Sequence, residues 1–124
     1  MPHQPSIILY VSNPIASAAF YTTALGLTAQ YASPGFAMLS FASGLDLGLW
    51  KREAVVPAAA NQPGAMEVAL ALPDLDSLRT LRASLGARGT PITQDIETMD
   101  FGTAFSVTDP DGHRIRLFVP AEAA

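Results

Sequence analysis

Two stretches of alternating residues carry the side chains with most chemistry to offer. In Asp46-Leu47-Gly48-Leu49-Trp50 the two-residue period of a strand sends Asp46, Gly48 and Trp50 to one face. Trp50 is the single tryptophan. A glycine two positions before it leaves room for a flat molecule against the indole, and stacking of that kind contributes up to ~1.5 kcal/mol beyond burial. The competing reading is a core tryptophan beside a packing glycine. In Arg114-Ile115-Arg116-Leu117-Phe118 the same alternation groups both guanidiniums with Phe118.

Other routes to catalysis are poorly supplied. With no cysteine in the chain there is neither thiolate chemistry nor a disulfide. His3 lies in a proline-flanked segment and His113 closes the turn Asp109-Pro110-Asp111-Gly112-His113; each reads as structural or solvent-exposed rather than as a ligand. Asp109 and Asp111 suit an Asx-turn and bring too few oxygen ligands for calcium. No catalytic residue, metal ligand or cofactor is assigned from these groups.

Composition narrows the partners. Seven Lys and Arg against eleven Asp and Glu give a net charge of −4, so no basic stripe exists to release counterions from nucleic acid. Hydrophobic residues make up 49% and charged residues 15%, the balance of a chain that buries a core. Apolar stretches such as residues 66–72 are too short to span a bilayer. The first residues lack a cationic, apolar leader, and the expected location is cytoplasmic.

The elements that must hold these side chains follow from local signals. A β-branched and aromatic strand runs over residues 6–11, and Asn13 then caps a helix that opens on Pro14 and ends at Gly26. Strands follow at residues 27–31, 36–41 and 45–51. After a Pro/Ala/Gly-rich connection over residues 56–65, the order repeats. A strand at 66–72 leads to a cap at Asp74, a helix at 76–85 stopping at Gly86, and strands at 91–96, 103–108 and 114–119. Val11 and Leu72, Asn13 and Asp74, and Phe20 and Leu81 lie 61 positions apart, and Gly44 and Gly112 lie 68 apart. The fold class expected is α+β: two tandem βαβββ modules, residues 5–55 and 64–120 of one domain spanning 1–124, forming curled half-barrel mixed sheets with a ligand cleft.

Tyr10-Val11-Ser12-Asn13, Ser17, Phe20-Tyr21, Leu25-Gly26 and the turn from Asp109 to His113 resemble the vicinal oxygen chelate superfamily. That superfamily includes glyoxalase I, extradiol dioxygenases, fosfomycin-inactivating transferases and bleomycin-binding proteins. Its metal-dependent members draw up to four ligands from the start of each module's first strand and the middle of its last. The resemblance maps those positions onto Ser6, Gly48, Glu67 and Arg116. One carboxylate, no imidazole and a guanidinium that would repel a cation imply a lost metal site. Glu67 and Arg116 are expected to pair in the metal's place, leaving Arg116 to address a carboxylate or phenolate; the alternative is two solvated rim residues.

Within that superfamily the chain resembles phenazine antibiotic-resistance proteins, through Tyr10-Val11-Ser12-Asn13, Leu49-Trp50, Phe101-Gly102-Thr103 with Phe105, and Ile115-Arg116 after the turn. The resemblance implies that Trp50 stacks on a tricyclic ligand. Residues 54–63, rich in Ala and Pro, depart from the pattern. The expected pocket comprises Trp50, Gly48, Arg116, Glu67, Asp46, Tyr10, Phe36, Met38, Met99 and Phe101. The expected function is metal-independent sequestration of a planar aromatic antibiotic by a homodimer without nucleic-acid or membrane partners. The alternative is a metal-dependent glyoxalase-like lyase or an extradiol dioxygenase of the same superfamily.

Overall fold

The computed structural model describes residues 5–121, which divide into two compact units between Asn61 and Gln62. In the first unit, β1 (Ser6–Val11) leads into α1 (Pro14–Ala19), which passes directly into a π-helical turn, Phe20–Ala24. Strands β2 (Thr28–Ala32), β3 (Phe36–Ser40) and β4 (Asp46–Lys51) complete it. In the second unit, β5 (Glu67–Ala71) leads into α2 (Leu75–Ala87), followed by β6 (Ile92–Met99), β7 (Gly102–Thr108) and β8 (Arg114–Pro120).

Each unit builds one open, mixed sheet. The orders are β1-β4-β3-β2 and β5-β8-β7-β6, with the first and last strands parallel and the remaining pairs antiparallel. A parallel pair needs a long crossover, and the helix in each unit travels along it. One face of each sheet is therefore apolar and covered. In the first unit Leu9, Val11, Ala37, Leu39, Leu47 and Leu49 are buried along with Ser17, Ala18 and Tyr21 of the helical segment. In the second, Val68, Phe105, Val107, Ile115 and Leu117 are buried, as are Leu78 and Leu85 of α2.

Helix starts follow the sequence closely. The Asn13 side chain accepts from the Ala16 N–H at 3.2 Å with Pro14 in the first helical turn, and Asp74 accepts from the Ser77 N–H at 2.7 Å. The end of the second helix differs from expectation. Gly86 lies inside α2, and the stop comes at Gly89, whose φ is +79°. There the Gly89 N–H donates to the Gly86 carbonyl and the Thr90 N–H to the Leu85 carbonyl, the paired bonds of a Schellman ending. Gly26, with φ +77°, ends the first helical segment on wider bonds, its N–H donating to the Thr22 carbonyl and the Leu27 N–H to the Tyr21 carbonyl, so the offset between the two stops is 63 rather than 61. Gly44 and Gly112 match at φ +95° and +92°.

These glycines generate a paired test. Gly89→Ala forces a Cβ into left-handed backbone and is expected to lower stability by about 1 kcal/mol. Gly86→Ala, inside the helix, meets only the Arg82 guanidinium, which must shift along with its bonds to Asp95, and should cost less than Gly89→Ala. Equilibrium denaturation of the two variants checks the difference, and equal losses would place the helix end at Gly86.

Candidate functional site

With the helix on one face, each sheet leaves its opposite face free. Strand registers arrange the free face of the first sheet in three rows. Ser6, Asp46, Ser40 and Thr28 form the first, Ile8, Gly48, Met38 and Tyr31 the second, and Tyr10, Trp50 and Phe36 the third. Tyr10, Phe36, Met38, Asp46, Gly48 and Trp50, all expected in the pocket, thus share one surface. Tyr10 meets Trp50 edge-on at 6.3 Å between ring centroids, and Tyr31 tilts against Phe36 at 6.2 Å. Ile8, Tyr10 and Tyr31 are exposed.

Gly48 does not leave the expected open space. A Cβ there would lie 2.5 Å from Ile8 Cδ1 and 2.9 Å from Phe36 Cζ, so neighbouring strands fold their own side chains over the glycine. The missing side chain is used for protein packing, which leaves no slot above Gly48. The tryptophan itself is only partly buried, which separates it from the core reading.

On the second sheet, Arg116 holds Glu67 through two parallel bonds, Nε to Oε2 at 2.6 Å and Nη2 to Oε1 at 3.0 Å. A third bond runs from Arg116 Nη1 to Gln94 Oε1 at 2.6 Å. One N–H on each terminal nitrogen remains. The Gln94 amide nitrogen in turn donates to Glu97 Oε1 at 3.3 Å and reaches Met99 Sδ at 3.4 Å. Gln94 stands beside register shifts in the β6–β7 pairing, and no sequence signal singled it out, because a glutamine on a polar strand reads as solvated surface. Met99 and Phe101 are exposed at the β6–β7 hairpin, with Phe101 edge-on to Phe118 at 6.0 Å.

The remaining polar groups have structural work. Asp109 is buried, and its Oδ1 accepts from the backbone N–H groups of Asp111 at 2.9 Å and His113 at 2.8 Å, the Asx-turn expected of this segment. His3 lies outside the described residues. Among the described residues no cluster of three His, Cys, Asp or Glu is placed to hold a metal ion. The four positions that metal-dependent relatives would use carry a hydroxyl, no side chain, a carboxylate and a guanidinium; the carboxylate has both oxygens committed to that guanidinium. This donor set does not fit a divalent metal. Among the described residues no helix is long and apolar enough to cross a membrane.

Hydrogen bonding from Arg116 holds the Glu67 carboxyl below the ordinary glutamate range, and the reciprocal bond raises the Arg116 guanidinium. A carboxyl whose folded pKa is depressed contributes stability above its unfolded value, and that contribution is lost as pH falls through the folded value. Wild type should therefore exceed Glu67→Gln in stability at neutral pH, with the gap closing as pH drops below the ordinary glutamate range. Denaturation curves across pH 3–7 check this, and a gap independent of pH would deny the pair its linkage.

Comparison with known proteins agrees with this architecture. No curated protein matches the chain. A protein of Agrobacterium tumefaciens with a solution NMR structure is 37% identical, with a TM-score of 0.85 over 98% of this chain and 100% of that one. A glyoxalase/bleomycin resistance protein/dioxygenase from Nocardioides is 29% identical at TM-score 0.77, covering 100% of this chain and 87% of its own. A glyoxalase-related enzyme from Fulvimarina pelagi, 23% identical at TM-score 0.83 over 96% and 88%, shares the fold. A family model matches residues 3–117. The chain belongs to the Glyoxalase/Bleomycin resistance protein/Dioxygenase superfamily.

Proposed function

We propose that this protein is a metal-independent binding protein that sequesters a planar aromatic antibiotic of the phenazine kind in the cytoplasm, acting as a homodimer that confers resistance. The observation that carries the reading is the grip of Arg116 on both oxygens of Glu67, at two positions where metal-dependent members of the superfamily place ligands. The pair removes the one carboxylate from Lewis-acid service and fixes a guanidinium whose spare N–H groups suit a carboxylate or phenolate. The row of exposed Tyr10 and partly buried Trp50 and Phe36 offers aromatic surface to a flat ring. A homodimer fits two open sheets, since isologous pairing would close their free faces into two equivalent ligand sites.

The test is a titration followed by Trp50 emission. A phenazine carboxylate should quench it with micromolar or tighter affinity, about 8 kcal/mol of binding free energy. Trp50→Ala should remove most of that binding. Arg116→Ala should weaken carboxylated ligands about tenfold or more while affecting neutral analogues less, because only the former lose a charge-assisted hydrogen bond. Wild-type affinity in both folded variants would sink the reading. Stoichiometric Ni, Zn, Mn or Fe coordinated by Glu67, together with lyase or dioxygenase activity, would replace it with an enzyme. Sedimentation at micromolar concentration should show a dimer, and a monomer alone would count against the assembly.

A further inference from the structure

The free face of the first sheet is graded along its strands. Its aromatic row, Tyr10, Trp50 and Phe36, is separated by the apolar row of Ile8, Met38 and Tyr31 from a row of Ser6, Asp46, Ser40 and Thr28. Rows two residues apart stand about 6.6 Å from one another, so the Asp46 row lies on the order of 13 Å from the Trp50 row. Asp46 is the only carboxylate in these three rows. Its side chain is held: Oδ1 accepts from Gln30 Nε2 at 3.0 Å and from Ser40 Oγ at 3.2 Å, while Gln30 also reaches Ser40 Oγ.

Gln30 makes those bonds because of a β-bulge. The β2–β3 register shifts between Ala29 and Tyr31, so Gln30 is the extra residue and its amide reaches across β3 to the carboxylate on β4. Bulges concentrate where a side chain must be re-aimed. This bulge orients a carboxylate within the polar row at one end of the face. Both donors go to Oδ1, which leaves Oδ2 as a fixed anionic acceptor, with the Ser6 hydroxyl beside it in the register as a second one.

We infer that Asp46, positioned by Gln30 and Ser40, recognises a protonated amine on the ligand, so that the protein selects planar aromatic molecules carrying a basic nitrogen on an arm. An ammonium has three N–H donors and no acceptor. Asp46 Oδ2 with the Ser6 hydroxyl offers it a charge-assisted bond and a neutral one. A carboxylated end would instead be repelled. The inference rests on the proposed aromatic site and names a second specificity element for it.

Two probes decide the matter: a phenazine carboxamide bearing an aminobutyl arm, and the same amide bearing a neutral butyl arm, each titrated against Trp50 emission. Wild type should bind the amine at least tenfold more tightly. Asp46→Asn, which keeps the shape and removes the charge, should abolish that preference, and Gln30→Ala should reduce it severalfold. Thermal unfolding of each variant establishes that it is folded. Equal binding of both amides to wild type, or an undiminished preference in Asp46→Asn, overturns the amine subsite and leaves the aromatic site standing. Failure of both amides to quench Trp50 where a phenazine carboxylate does so overturns the amine subsite, and failure of all three overturns both.

Discussion

The parallel pairing of first and last strand in each unit is the constraint from which the rest follows. Two parallel neighbours cannot be joined by a hairpin, so the chain must leave the sheet and return, and the helix on that excursion covers one face. The other face is left to side chains that are free to vary without unpacking the core. Leu9, Leu47 and Leu49 are fully or nearly fully buried, while Ile8 and Tyr10 on the same first strand are exposed. Chemistry in this fold is accordingly confined to alternate positions of strands whose other positions are fixed by packing.

The two units keep one register while changing what it displays. Ser6 pairs with Asp46 and Met38 with Gly48 in the first; Glu67 pairs with Arg114 and Ser106 with Arg116 in the second. Each second-unit residue on β5 lies 61 positions after its counterpart, and each on β7 or β8 lies 68 after. The same backbone pairing therefore displays an arginine and a glutamate where the first unit has Gly48 and Ser6. Once Arg116 reached the carboxylate with both nitrogens of one edge, its own charge was compensated locally and Gln94 fixed its remaining side. A half-exposed pair of this kind adds little to stability. Its effect is geometric, holding a cation in a defined direction.

Local signals in the sequence made most of the fold legible. Asn13-Pro14 and Asp74 cap helices because their oxygens reach backbone N–H groups three residues on, and the alternating runs ending in Trp50 and Phe118 are strands because their leucines and isoleucine fill a core. Gly86 misled because a glycine terminates a helix only where the backbone turns left-handed, and composition does not distinguish it from Gly89. The Glu67–Arg116 pair was legible through resemblance, whereas Gln94 and Gln30 were not. Both act beside bulges, and a bulge depends on how two strands are registered rather than on either strand alone.

Gly48 shows how far alternation can carry a site argument. The period correctly sends its missing side chain to the same face as Trp50, but the volume above it belongs to Ile8 from β1 and Phe36 from β3. Both residues come from strands hydrogen-bonded to β4, so the space was decided by sheet order, β1-β4-β3, which the period of a single strand does not encode. Closing that space joins the apolar middle row into a continuous floor between the aromatic row and Asp46. On the proposed reading, a ligand on this face is gripped at its two ends, by ring contacts at Trp50 and by charge at Asp46, while the floor between them discriminates by area alone. That division assigns affinity to the aromatic end and selectivity to the carboxylate end, because apolar contact grows with any flat molecule of sufficient size and a fixed charge does not.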